Sequence, residues 1–145
     1  MKKYFSLFLV IITMTLLSGC GFAKTLECEK SYNENGIDQV KKVKAWYKDD
    51  ALVKVKLDTT VDLTGKDESY VSSYKEALDT TYKDYFNKTG IKALSKVDSS
   101  KVYLKVVFDL EEISDKDKQT LGIDSFSKTL EDAEKDYVSD GYTCK

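Results

Sequence analysis

Histidine, proline and arginine are all missing from this 145-residue chain, and cysteine occurs only three times. Without histidine there is no Ser-His-Asp or Cys-His nucleophile, no imidazole acid or base and no imidazole metal ligand. Without arginine there is no planar fork for a bidentate grip on phosphate, so all 23 basic residues are lysine point charges. What remains is an ordinary globular composition, 41% hydrophobic and 33% charged, at a length that suits one domain.

The first residues bear on location. Lys2 and Lys3 form a short positive segment, and an apolar run of about 14 residues follows, from Tyr4 to Leu17. That is too short to span a membrane, which takes ~20 residues, and suits the apolar region of a signal peptide. The run ends in Leu17-Ser18-Gly19-Cys20, which resembles the lipobox of bacterial lipoproteins. The resemblance implies a signal peptide over residues 1–19, cut before Cys20, which then carries lipid on its sulfur. Losing Lys2 and Lys3 from a chain of net charge −2 leaves the remainder at −4, a poor generic partner for nucleic acid. Residues 20–24 make a short tether of at most ~14 Å. A single globular domain is expected over residues 25–145, close to the extracytoplasmic face of the cell membrane.

Cys28 and Cys144 flank that domain. Outside the cytoplasm an even pair reads first as a disulfide, with two buried thiols as the alternative. Closing so long a loop is worth ~4–5 kcal/mol by chain entropy. Zinc is disfavoured, because neither a third sulfur nor a histidine is available, and the Cys-x-x-Cys spacing of redox pairs is absent. No metal and no cofactor are expected.

Strand-like alternation covers Thr25–Tyr32, Gln39–Lys48, Leu52–Leu63, Ile91–Val97 and Lys101–Leu110. Asn35-Gly36 is a strong hairpin signal, and Asp49-Asp50 marks the next turn. Val43, Ala45 and Tyr47 should face in, as should Val53, Val55, Leu57, Val61 and Leu63, then Val102, Leu104, Val106, Phe108 and Leu110. Between Asp67 and Asn87 the period changes to three and four, predicting an amphipathic helix. Ser114-Asp115-Lys116-Asp117 looks like a capped helical turn, and a second helix is predicted over Ser125–Ser139. Tyr142-Thr143-Cys144 is either a last short strand or a pinned tail. The order β-β-β-α-β-β-α predicts a two-layer α+β domain. Two helices should cover one face of a mostly antiparallel sheet of about five strands.

Four later segments, Val106-Val107-Phe108-Asp109-Leu110, Ile113 to Lys118, Leu130-Glu131-Asp132-Ala133 and Asp140-Gly141-Tyr142-Thr143-Cys144-Lys145, join the lipobox and the strand-rich first half. Together they resemble the YehR-like small bacterial lipoproteins. The likeness is loose, spans roughly residues 25–145 and implies fold and location, with no activity attached.

The candidate working surface is the outward face of the sheet. It carries Lys42, Lys44, Trp46, Lys54, Lys56, Lys92, Lys96, Tyr103 and Lys105, with Leu94 and Val107 between them and Asp58, Asp62 and Asp109 as counter-charges. Lysines interleaved with exposed aromatics suit an anionic lipid headgroup, a wall polymer or an envelope protein. The plainer reading is a solvated face whose lysines guard the sheet edges. The helices carry mainly acidic residues, and Glu111, Glu112, Asp115 and Asp117 lack the spacing of a calcium loop. No rule selects a catalytic pair from 25 carboxylates, so the chain is expected to be non-enzymatic. Two functions fit: a membrane-anchored binding or accessory module, or an inhibitor-type lipoprotein that blocks an enzyme through a loop such as Asn33–Gly36 or Asp98–Ser100.

Overall fold

The computed structural model describes residues 24–86, 88–126 and 129–145. The expected signal peptide, the expected lipidation site Cys20 and the expected tether before Lys24 lie outside the described residues, as does Asn87. Six strands form one antiparallel sheet: β1 (Lys24–Glu34), β2 (Ile37–Lys48), β3 (Ala51–Asp62), β4 (Ile91–Asp98), β5 (Lys101–Asp109) and β6 (Thr143–Cys144). Their order across the sheet is β4-β5-β3-β2-β1-β6. Among the described residues three α-helices accompany them: α1 (Glu68–Tyr82), α2 (Asp115–Leu121) and α3 (Leu130–Ser139). The architecture is α+β, with all three clusters of the core on one side of the sheet. No helix among the described residues is long and apolar enough to cross a membrane.

Local chemistry explains the elements. Asn35 and Gly36 both take positive φ, which a two-residue hairpin turn requires, and the Asn33 side chain accepts a hydrogen bond from the Gly36 N–H. Asp49 and Asp50 also take positive φ, a conformation that Asp tolerates better than most residues. Each helix opens on a side-chain cap. Asp67 accepts from the Tyr70 N–H, Ser114 from Asp117 and Thr129 from Asp132.

The inward side chains bury as alternation requires. Val61, Leu63 and Val102 are essentially solvent-free, and they meet Val71 of α1. Val43, Val55, Ile91, Leu104, Val106 and Phe108 form the middle of the core beneath Leu78 and Tyr82 of α1. Leu26, Cys28, Ala45 and Tyr47 pack with Ala133 of α3.

The structure decides one open alternative and departs from the sequence expectations in two places. Of the two readings of the tail the short strand is the one formed, a sixth beside the expected five: Cys144 is bonded to Cys28 across 116 positions and Lys145 exchanges both backbone hydrogen bonds with Glu27. The helix expected over Ser125–Ser139 begins only at Leu130, behind the Thr129 cap. The residues before it form a 3-10 turn (Ile123–Phe126), and the capped turn at Ser114 extends into α2. Val53, expected to face in, is the extra residue of a bulge. Trp46 pairs with Lys54 but Tyr47 pairs with Leu52, so Leu52 packs on the core instead.

Candidate functional site

Among the described residues, no element covers the face of the sheet opposite the helices. Lys42, Lys44 and Trp46 reach it from β2, Lys54 and Lys56 from β3, Tyr103 and Lys105 from β5, and Lys92 and Lys96 from β4. In each strand these residues alternate with the buried set. Register brings them side by side. Lys44 stands opposite Lys56, Lys56 opposite Val107, and Val107 opposite Lys92.

Their charges are not equally free. β1 contributes Glu27 and Glu29 to the same face, opposite Lys44 and Lys42, a contribution missed when only the later strands were counted. Lys44 meets Glu27 at 2.5 Å and Lys42 meets Glu29 at 3.0 Å. Lys56 meets Asp58 at 2.6 Å, and Lys54 lies 3.8 Å from Asp109. Lys44 bonding holds the Glu27 carboxyl below its ordinary range. Asp62 is likewise held low, chiefly by bonds from Thr64, with Lys101 adding to the effect. A shallow trough of about 630 Å³ opens over this end and is lined by Glu27, Glu29, Lys42, Lys44, Lys56 and Lys145. It holds lysines and carboxylates in neutralising pairs.

The β4–β5 end differs. Lys92, Lys96 and Lys105 make no ion pair within 4.0 Å among the described residues; Asp58 stands opposite Lys105 in the register, but its carboxylate is turned to Lys56. They surround Leu94, which is 58% exposed and stands opposite Lys105, and Lys96 lies 5.0 Å from the centre of the Tyr103 ring. Trp46 is half-buried, with the Lys44 ammonium 5.4 Å from its ring, so it belongs to the paired end. The cationic, apolar-centred part of the face is therefore Lys92, Leu94, Lys96, Tyr103 and Lys105. Among the described residues, no group of three or more acidic or cysteine side chains is placed to hold a metal ion.

This is an α+β protein built as an antiparallel sheet with helices on one face and, among the described residues, nothing over the other. Two solved structures share that fold. An NMR structure of a protein from Streptococcus pneumoniae TIGR4 is similar with a TM-score of 0.60 and 14% identity, covering 87% of each chain. The NMR structure of the E. coli YehR protein is similar with a TM-score of 0.56 and 19% identity, covering 84% of this chain and 91% of that one. The resemblance to YehR-like proteins is thus present in the fold, and at this identity it remains loose. No family model and no curated protein matches the chain.

Proposed function

We propose that the protein is a membrane-anchored envelope lipoprotein that acts as a non-enzymatic binding module through the β4–β5 end of its open sheet face. The observation that carries this reading is the group of three unpaired lysines around the exposed Leu94. The chemistry fits an anionic lipid surface beside the anchor. Each lysine held near such a surface contributes about 1 kcal/mol, fading beyond a Debye length of ~8 Å. Leu94 and Tyr103 supply a small apolar contact between the charges. The lipobox at Leu17–Cys20 supports anchoring, and β1 begins only four residues after Cys20. Lys24 lies in the row of Tyr47 and Leu52, at the end of the sheet where Ile91 begins β4. The tether would therefore leave from the end nearer Lys92.

The test uses residues 24–145, which contain the three core clusters and the disulfide, with vesicles of anionic and of neutral lipid. Weak binding to anionic vesicles that disappears as salt rises is expected. Lys92, Lys96 and Lys105 changed together to Glu should abolish it, whereas the same change at Lys42, Lys44 and Lys56 should remove less. Salt-insensitive binding, or equal loss from both triples, rejects this surface. The inhibitor reading through the Asn33–Gly36 or Asp98–Ser100 loop then leads. Separately, Cys20→Ala should release the protein from the membrane fraction or leave its signal peptide uncut. Normal processing and membrane attachment of that variant rejects the anchor.

A further inference from the structure

Apart from Ser95 of β4, which donates to Asp79 of α1, the strand positions on the helix-covered face are apolar except in one contiguous patch across β1, β2 and β3. On β1, β2 and β3 the inward positions beyond Cys28, Val43 and Leu57 are Lys30, Tyr32, Gln39, Lys41 and Thr59. Register makes them neighbours: Lys30 opposite Lys41, Tyr32 opposite Gln39, and Lys41 opposite Thr59. All five are half-buried. Like charges directly opposite one another on one face of a sheet destabilise it. Here two lysines stand so, on the side of the sheet that elsewhere forms the core.

No carboxylate among the described residues is within ion-pairing distance of either ammonium. Aromatic rings surround both instead. The Lys41 Nζ lies 5.2 Å and the Lys30 Nζ 5.8 Å from the centre of the Tyr32 ring, and Lys30 is also 5.7 Å from that of Tyr142. The Tyr32 hydroxyl donates to Gln39 Oε1 at 2.8 Å. Lys30 donates to the Asp140 carbonyl at 2.6 Å, which accounts for one of its protons at the end of α3. The chief partner of the Lys41 ammonium is the Tyr32 hydroxyl, whose side-chain hydrogen bond favours the charged form against the cost of partial burial. The acidic groups nearest this patch are Glu34, which accepts from Gln39 Nε2 at 3.3 Å, and Asp140, which acts on Tyr142. Tyr74 of α1 stands on the other side, close enough to feel Tyr32, Glu34 and Lys41.

We propose that Lys30, Lys41, Tyr32 and Gln39 floor a second ligand site, between α1 and the Tyr142 tail, that takes a phosphate group. Two lysines match the charge of a phosphate dianion better than that of a monocarboxylate, and an anion between them removes the cross-strand repulsion. The tyrosine rings suit the apolar body of a phosphate ester. This site is on the opposite face from the vesicle-binding surface and stands or falls independently of it.

The experiment is an NMR titration of the whole protein in nonionic detergent, with inorganic phosphate and with glycerol phosphate, each against chloride at equal ionic strength. Saturable shifts confined to residues around 30, 32, 39, 41 and 142 are expected. Tighter binding of the ester would identify an esterified source, and tighter binding of inorganic phosphate a free one. Lys41→Gln should weaken binding by about tenfold or more, the loss of one charge-assisted contact. It should also raise the melting temperature in phosphate-free buffer by relieving the repulsion. Lys116→Glu, on the exposed surface of α2, should leave phosphate binding unchanged. No shift beyond the chloride control overturns the proposal, as does unchanged binding by folded Lys41→Gln or loss of binding in Lys116→Glu.

Discussion

The two margins of the sheet are built to different rules. At the β1–β6 margin a covalent bond closes the edge, with the Cα atoms of Cys28 and Cys144 4.1 Å apart. The outward lysines of β2 there are matched by the carboxylates of β1. At the β4–β5 margin nothing covalent holds the edge. α1 is tied to β4 by Ser95, which donates to Asp79, itself bridged to Lys75 at 2.5 Å. Beyond that contact β4 presents bare lysines and an exposed leucine. A chain of net charge −2 has carboxylates to spare, so the lack of neutralisation on this margin is a matter of placement and not of supply. One margin is finished as structure, and the other is left with unspent charge, which suits a surface that meets something else.

The largest effect should come from breaking the finished margin. Replacing both Cys28 and Cys144 by Ala should lower stability by about 2–5 kcal/mol, read as a fall in the thermal midpoint, with a smaller loss at β4 than at β6 in amide exchange. At the open margin the sharpest lesion is Gly90→Ala. Gly90 has φ +75°, and an added Cβ would sit 2.6 Å from Ile113 Cγ1 and 2.9 Å from the Asp109 carbonyl oxygen. Its carbonyl also accepts from the Asp109 N–H at 2.7 Å, tying β4 to β5. Backbone strain and overpacking together should cost about 2–4 kcal/mol, measured by denaturant unfolding.

Titration separates the margins further. Tyr137 of α3 packs on Tyr142 near β6, and burial pushes its hydroxyl up to about 12. An acid raised in the folded state is stabilising while protonated. Its contribution is therefore complete below the ordinary tyrosine value, ~10, and is lost as pH rises from there to about 12. Tyr137→Phe should flatten the alkaline fall in melting temperature. On the acid side, Glu27, Asp62 and Asp79 are held low by their hydrogen-bonding and lysine partners. Their contribution is present above the ordinary carboxylate range and is lost as pH falls through the lowered values. Glu27→Gln should reduce that acid sensitivity, whereas Lys105→Gln, at a lysine that makes no ion pair within 4.0 Å, should not. The smallest effect is expected at the β2–β3 turn. Asp50→Gly, at φ +62°, should stabilise the protein by up to ~1 kcal/mol in a melting curve, because the exposed Lys24–Asp50 pair it removes contributes little.

Alternation of apolar and polar residues determined by itself which side chains of β2, β3 and β5 face the core, because a strand repeats every two residues whatever lies beside it. The Asn35-Gly36 turn and the Ser114 start of α2 were legible for a similar reason. Each depends on chemistry within a few residues. The Val53 bulge was not legible, because an extra residue in one strand is defined only against its partner. The same holds for the sites. Sequence marked the outward lysines, but whether each was neutralised depended on its cross-strand neighbour, and Glu27 and Glu29 answer Lys44 and Lys42 only once β1 lies beside β2. Lys41 and Gln39 interrupt the inward series of Val43, Ala45 and Tyr47, a signal visible in the sequence. Only the pairing of Lys30 with Lys41 turned that interruption into two facing charges. Tertiary structure decided this because strand order and register are collective: many small packing and hydrogen-bond terms choose the neighbours, and no local run of residues contains them.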